Sequence, residues 1–259
     1  MKDNERKDDF MKLQAQQYKK YFFISLAVIA VYAFMQVSGL FLLDPFHQIL
    51  IKVTGNATIE PVGPFLVVSA VVALLVILIL TRDKGYWYSV FNEPRKNYVA
   101  VVGWGIIGFV LVLVGQGLAA YIETTFLGIE MGSENTAQIF EAAKAAPIII
   151  VLVAIIGPIL EEFVFRRSIF GTLLGPTNFV VAALISSLAF AVIHFDFTHL
   201  LVYLVSGFVF AIVYYKSRSI WAPIIAHMLL NTFVTFAQFF GEDLQNWAEN
   251  IEQLIFFIF

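Results

Sequence analysis

The sequence is cut into apolar segments of roughly membrane-crossing length, and that pattern limits the fold more than any other feature. They run at about 21–43, 64–81, 98–122, 147–165, 177–195, 200–216 and 220–240, with a short terminal candidate at 251–259. A helix needs about 20 apolar residues to cross a bilayer. Within lipid, only helices and closed barrels satisfy every backbone polar group. These runs are continuous rather than alternating, so the expected architecture is all-α: a polytopic bundle of seven to eight transmembrane helices. Composition agrees, with 60% hydrophobic and 14% charged residues, against about a quarter charged in soluble domains. The chain has no cysteine, which excludes disulfides, thiolate metal sites and a cysteine nucleophile. The bilayer is the expected surrounding, and no nucleic-acid partner is expected.

Residues 1–20 form a polar arm carrying Lys2, Arg6, Lys7, Lys12, Lys19 and Lys20. A solvated, mostly structureless arm is expected there. The apolar run after it is too long for a signal-peptide core and lacks a small-residue cleavage site, so it reads as a retained first span. No repeat or linker divides 21–259, which is read as one membrane domain. Lys and Arg alternate between loops. Loop 82–97 carries Arg82, Lys84, Arg95 and Lys96; Arg166 and Arg167 follow the fourth span; Lys216 and Arg218 follow the sixth. Loops 44–63 and 123–146 have one lysine each, Lys52 and Lys144. By the positive-inside rule the N-terminus is cytoplasmic, in a multi-pass protein of the cell membrane. The glycines of the third span (Gly103, Gly105, Gly108, Gly115 and Gly117) read as close-packing positions.

Polar groups inside apolar runs carry the chemistry. Gly157-Pro158-Ile159-Leu160-Glu161-Glu162 puts two carboxylates in the fourth span, where a charge costs roughly 2.5–3.5 kcal/mol. Glu162 and Arg166 are four apart, in the favourable order for a helical ion pair. Glu161 is rotated by about 100° and has no base four further on. Glu162 is therefore expected to be structural, and Glu161 to face a cavity. Pro158 kinks the helix just before the acids; an ordinary kink and a cavity-lining break both fit. Phe190 and His194 share one helical face, as do His227 and Asn231. Asp196 and His199 read as capping a turn. Singly, each of these residues also fits a packing role. Jointly, two acids, two histidines and an asparagine on three helices form the inventory of a water-activating hydrolase.

At these positions the sequence resembles a known family. Glu161-Glu162-x-x-x-Arg166, Phe190-x-x-x-His194 and His227-x-x-x-Asn231 are similar to the three motifs of the CAAX protease and bacteriocin-processing (Abi) family. These are intramembrane glutamic endopeptidases related to type II CAAX prenyl proteases. The resemblance covers about 145–240. It implies a peptide or membrane-protein substrate, with water activated by Glu161 and His194. It further implies an oxyanion hole from His227 and Asn231, and support from Glu162, Arg166 and Phe190. It implies no cofactor; the alternative is a zinc ion on Glu161, His194 and His227, although no H-E-x-x-H pair is present. A non-catalytic immunity or regulatory protein on the same fold is the rival reading, and a proton-coupled transporter a further one. For Glu161 and His194 to meet, the fourth span has to continue to about Leu174, and the turn 195–199 has to sink into the membrane.

Overall fold

The computed structural model describes residues 2–91, 97–130 and 132–258, with side chains described for 15–91, 97–130 and 132–241. All regular structure among them is helical. In order these are α1 (Lys2–Val37), α2 (Gly39–Thr54), α3 (Val62–Leu80), α4 (Lys84–Tyr88), α5 (Tyr98–Leu127) and α6 (Glu134–Ala145). There follow α7 (Ile149–Val151), α8 (Gly157–Glu162), α9 (Gly171–Leu174), α10 (Phe179–Val192), α11 (Leu200–Ser217) and α12 (Trp221–Ile258). Helices α7, α8 and α9 are pieces of one unbroken rod, joined by two wide-turned π-helical stretches, Leu152–Ile156 and Phe163–Phe170. This rod is the centre of the bundle, packed by α1, α3, α10, α11 and α12.

Among the described residues five helical segments are long and apolar enough to cross a membrane: Ala15–Val37, Val62–Leu80, Tyr98–Leu127, Leu200–Ser217 and Trp221–Gly241. Large side chains such as Leu75, Ile79, Val114 and Leu118 face outward on them, as lipid contact requires. The other two expected spans take different forms. The fourth is the composite rod, which runs to Leu174. The fifth is α10, with 14 residues, about 21 Å of helix against a hydrocarbon core of about 30 Å.

Several sequence expectations are corrected. The arm is not structureless: its backbone is helical from Lys2 and continuous with the first span. The intervening Lys, Leu, Gln and Ala residues are good helix formers, with no Gly or Pro to interrupt them. The first span stops at Val37 rather than near 43, where the Ser38 hydroxyl bonds back to the Met35 carbonyl and α2 begins at Gly39. Loops 44–63 and 123–146 each hold a helix, α2 and α6. The end at 251–258 is not a separate segment, since its backbone continues α12. Most informative is that Arg166 and Arg167 are not loop cations. They lie in the rod at 0% and 1% exposure, each held by polar partners and aromatic faces.

The glycines of α5 behave as close-packing positions in part. A methyl group on Gly105 would lie 2.6 Å from Ile225, and one on Gly108 would lie 2.7 Å from Val213. Gly103 and Gly117 have no such neighbour. Gly207 lets α11 touch the backbone of α10 at Ser187, where a Cβ would approach to 2.9 Å. That contact seats Phe190 and sets the height of His194 above it.

Candidate active site

Burial and hydrogen bonding separate the two adjacent acids. Glu162 is fully buried and accepts from Arg166 Nε at 3.0 Å and His227 Nδ1 at 3.0 Å, one on each oxygen. Arg166 also donates to Ser186 Oγ at 2.8 Å and lies over the rings of Phe190 and Phe210. Glu161 keeps 18% of its side chain exposed and lines a cavity of about 930 Å³. Its Oε2 lies 3.7 Å from His227 Nε2 and has no hydrogen-bond partner. Glu162 is thus paired with Arg166, while Glu161 faces the cavity.

Hydrogen bonding also sets the two histidines. His194 Nδ1 lies 2.8 Å from the Phe190 carbonyl oxygen. That oxygen can only accept, so Nδ1 carries a proton, and in the neutral imidazole Nε2 is then an acceptor. The imidazole rests on Phe190, with ring centres 4.7 Å apart. It stacks on Tyr203 at 4.2 Å. His227 Nδ1 faces a carboxylate oxygen and donates to it, which leaves Nε2 directed at Glu161. Phe210 stacks on the other face of His227 at 4.7 Å.

Asn231 is placed by a vacancy in the rod's own hydrogen bonding. The Gly157 N–H bonds to the Leu152 carbonyl, five residues back. By the same pattern the Val153 carbonyl should meet the N–H of residue 158, which is proline and has none. Asn231 Nδ2 supplies the missing donor at 2.9 Å. A buried backbone carbonyl left alone would be costly. Pro158 and the π turn thus fix where the Asn231 amide sits, with its second N–H left over for the cavity.

Glu161, His194 and Asn231 all line the one cavity, while His227 is buried directly behind Glu161. The turn after α10 does contribute to the wall, through Ile193, His194 and His199. Phe195 within it holds φ of 53°, the left-handed region that a bulky residue rarely adopts. Its ring points outward at 79% exposure, while the adjacent Asp196 is buried and caps the turn by accepting from the His199 N–H.

Three further groups escaped sequence reasoning. Tyr32 of α1 lies beside the Glu161 carboxyl and receives a long bond from Gln36. Tyr203 is hydrogen-bonded to Ser133 at 2.8 Å and Asn135 at 3.2 Å, at the start of α6. Glu123 of α5 accepts from His199 Nδ1 at 2.9 Å and from the Leu201 N–H at 3.1 Å, closing the N-terminus of α11. All three contacts cross between helices, and no periodicity along one helix announces them. Among the described residues no three His, Asp or Glu side chains are gathered to share a metal ion.

Fold and site together define a polytopic helical membrane protein with an acid–histidine–amide constellation sunk in its bundle. Residues 143–233 match the family model described as type II CAAX prenyl endopeptidase Rce1-like. YdiL of Bacillus subtilis (strain 168), named provisionally as a membrane peptidase, is 38% identical over 234 residues, covering 89% of this chain and 93% of that protein. The membrane-embedded CAAX protease MroQ of Staphylococcus aureus (strain USA300) is 31% identical over 243 residues, covering 92% of each. The UPF0177 protein YxdF of Lactococcus lactis matches a shorter stretch, 41% identical over 83 residues, which is 32% of this chain and 45% of that protein. No solved structure matches the chain. The chain belongs to the Rce1-like type II CAAX prenyl endopeptidase family and is an intramembrane CAAX-type protease. The kinship with YdiL and MroQ reaches well beyond the motif region, into the N-terminal helices.

Proposed function

We propose that this protease hydrolyses an internal peptide bond with a water held between Glu161 and His194, in a bundle that crosses the membrane seven times with its N-terminus in the cytoplasm. The composite rod and α10 supply the fourth and fifth crossings, and the basic residues outside the rod still favour that orientation. The observation that carries the catalytic reading is the shared cavity of Glu161, His194 and Asn231, with His227 Nε2 at 3.7 Å from Glu161.

Each group then has one task. The bare Nε2 of His194 accepts one hydrogen of the water and orients it. Glu161 removes the other proton as hydroxide attacks the carbonyl carbon. The developing oxyanion receives the spare Asn231 N–H and a proton-bearing His227 Nε2. Tetrahedral collapse breaks the C–N bond, and Glu161 returns the proton to the departing amine. Charge counting supports this. The buried cluster of Glu161, Glu162, Arg166 and His227 holds two carboxylates and one guanidinium. Near-neutrality, which burial favours, asks for one more proton, shared between Glu161 and His227. Glu162 and Arg166 hold His227 in place and take no part in bond breaking.

The test is turnover of a fluorogenic peptide set by purified enzyme in nanodiscs. Glu161→Gln should insert and fold normally yet lose at least ~10³-fold in kcat, the scale of removing a general base together with its proton return. His194→Ala should be similarly inactive. Turnover near wild type in either variant would refute the mechanism.

A further inference from the structure

Two adjacent guanidinium groups are buried in the rod, and they are compensated differently. Arg166 pairs with Glu162 at 3.0 Å. Arg167, 1% exposed, meets no carboxylate among the described residues. Its Nη2 donates to the Tyr86 carbonyl and, at 3.0 Å, to Ser89 Oγ. Its Cζ lies 3.4 Å from the centre of the Tyr86 ring. These partners are dipoles and a π face, and none carries a negative charge. The donors on Nε and Nη1 find no acceptor among the described residues. Asp83, which caps α4, is taken by Lys20 and the Gly85 N–H. A buried cation in that state is costly unless an anion completes it.

Space for that anion lies alongside. Arg167 lines a second cavity, of about 240 Å³, that shares no wall residue with the one at Glu161. A methyl group on Gly171 would lie 3.3 Å from Arg167 Nη1. Gly171 is itself on the cavity wall, so the missing side chain leaves Nη1 uncovered there. Gln17, Tyr18, Tyr21 and Ser89 add neutral donors, and no Asp or Glu lines the cavity among the described residues. The α1 part of the wall, Gln17 to Phe22, is where the polar arm passes into the first span. Tyrosines at such a border mark the level of the lipid headgroups, where a membrane presents its phosphates.

We propose that this second cavity is a binding site for a phosphate group, with Arg167 as its charge partner. The oxyanion accepts from Arg167 Nη1 and from neutral donors of the wall such as the Tyr21 hydroxyl and the Gln17 amide. The phosphodiester of an anionic lipid and a free phosphate share this chemistry. Bound there, either one neutralises the second cation of the rod and fastens α1 to it. The site uses none of the groups around Glu161, so it stands apart from the catalytic reading.

The test uses purified enzyme in maltoside micelles, which contain no phosphate, and reads melting temperature and bound mass by native mass spectrometry. The probes are inorganic phosphate and phosphatidylglycerol, with chloride at matched ionic strength as the reference. Wild type should melt higher with a probe, by a shift that saturates as binding to the folded state requires, and chloride should give none. Saturation by phosphatidylglycerol alone assigns the site to a lipid headgroup, by inorganic phosphate alone to a soluble anion, and by both to the phosphate group itself. Arg167→Gln should lose about tenfold or more in affinity, the scale of a charged hydrogen bond. Because that position is buried, Gly175→Glu is its companion. Residue 175 is on the cavity wall, with φ of −67° and open space around it, and its carboxylate there excludes the probe by repulsion. No saturable shift in wild type, or a shift that Arg167→Gln or Gly175→Glu retains in full, overturns the proposal. Glu161→Gln should bind the probes as wild type does, whatever its turnover.

Discussion

Asn231 gives the sharpest test of how the backbone builds this site, because its two amide hydrogens have separable jobs. Asn231→Ala leaves the Val153 carbonyl without a donor, which costs about 1–3 kcal/mol of stability for a buried polar group. On the proposed mechanism it also removes one oxyanion donor, worth about 10²–10³ in kcat. Pro158→Ala restores an N–H at the position that faces Val153 in the five-back pattern set by Gly157 and Leu152. In that background the carbonyl no longer needs Asn231, so Asn231→Ala should cost about 1 kcal/mol less. The catalytic defect should remain, since a backbone N–H turned toward Val153 cannot reach substrate. Reversible unfolding in mixed micelles measures stability for the four proteins of the cycle, and peptide turnover measures kcat. Additivity within about 0.3–0.5 kcal/mol, the usual result for independent sites, would show that Asn231 does not stand in for the missing proline donor. Recovery of activity along with stability would contradict the oxyanion role.

Other perturbations follow from the same packing. Gly108→Ala should destabilise by about 1–3 kcal/mol, as overpacking against Val213 and Ala226 forces α5 away from α11 and α12; Gly103→Ala, with open space around it, should stay within about 0.5 kcal/mol of wild type. Tyr203→Phe keeps the ring under His194 and should retain kcat within a few-fold, whereas Tyr203→Ala, which frees the imidazole plane, should lower kcat by about tenfold or more with little change in KM. His199 answers to pH. Burial lowers its pKa, but the Glu123 hydrogen bond and the Asp196 and Glu123 charges outweigh this and leave it raised. Its stabilising contribution is therefore full below the unfolded value of about 6.5 and lost as pH rises through the higher folded value. The thermal advantage of wild type over His199→Gln should shrink as pH rises above about 6.5, and an advantage that grows with rising pH would contradict the assignment.

The bundle and the motif residues were legible because both depend on features that repeat along one helix. Apolar runs marked the segments, and four-residue spacing paired Glu162 with Arg166 and Phe190 with His194. Legibility ended wherever a contact crossed between helices or the helix itself departed from 3.6 residues per turn. The fourth span looked as if it ended at Arg166 and Arg167, because two adjacent arginines after an apolar run resemble a cytoplasmic border. Nothing local shows that Ser186 and Tyr86, far away in the chain, supply their buried partners. The short α10 could not be sized either, because the apolar run continues past Val192 into an irregular turn capped by Asp196.

The π stretches explain why the acids sit between two irregularities rather than in a plain helix. In a regular helix the ladder consumes each carbonyl, and a side chain four residues on covers the same face. The first wide turn, ending at Gly157 and Pro158, frees the Val153 carbonyl for α12 and brings Asn231 to the cavity. The second begins directly after Glu162. Within it Arg166 reaches back to Glu162 and across to Ser186 of α10, while the adjacent Arg167 turns to Tyr86 of α4 beneath α1. Two neighbouring cations are thereby pulled to different helices and tie α10 and α4 to one rod. Irregular backbone of this kind survives at membrane depth only where protein or a wet cavity satisfies it, and π turns recur at functional sites for the same reason. The wide turns of the rod and the placement of the site residues thus have one origin, which is why restoring an N–H at Pro158 should leave the protein easier to fold around Asn231→Ala but no better at cutting.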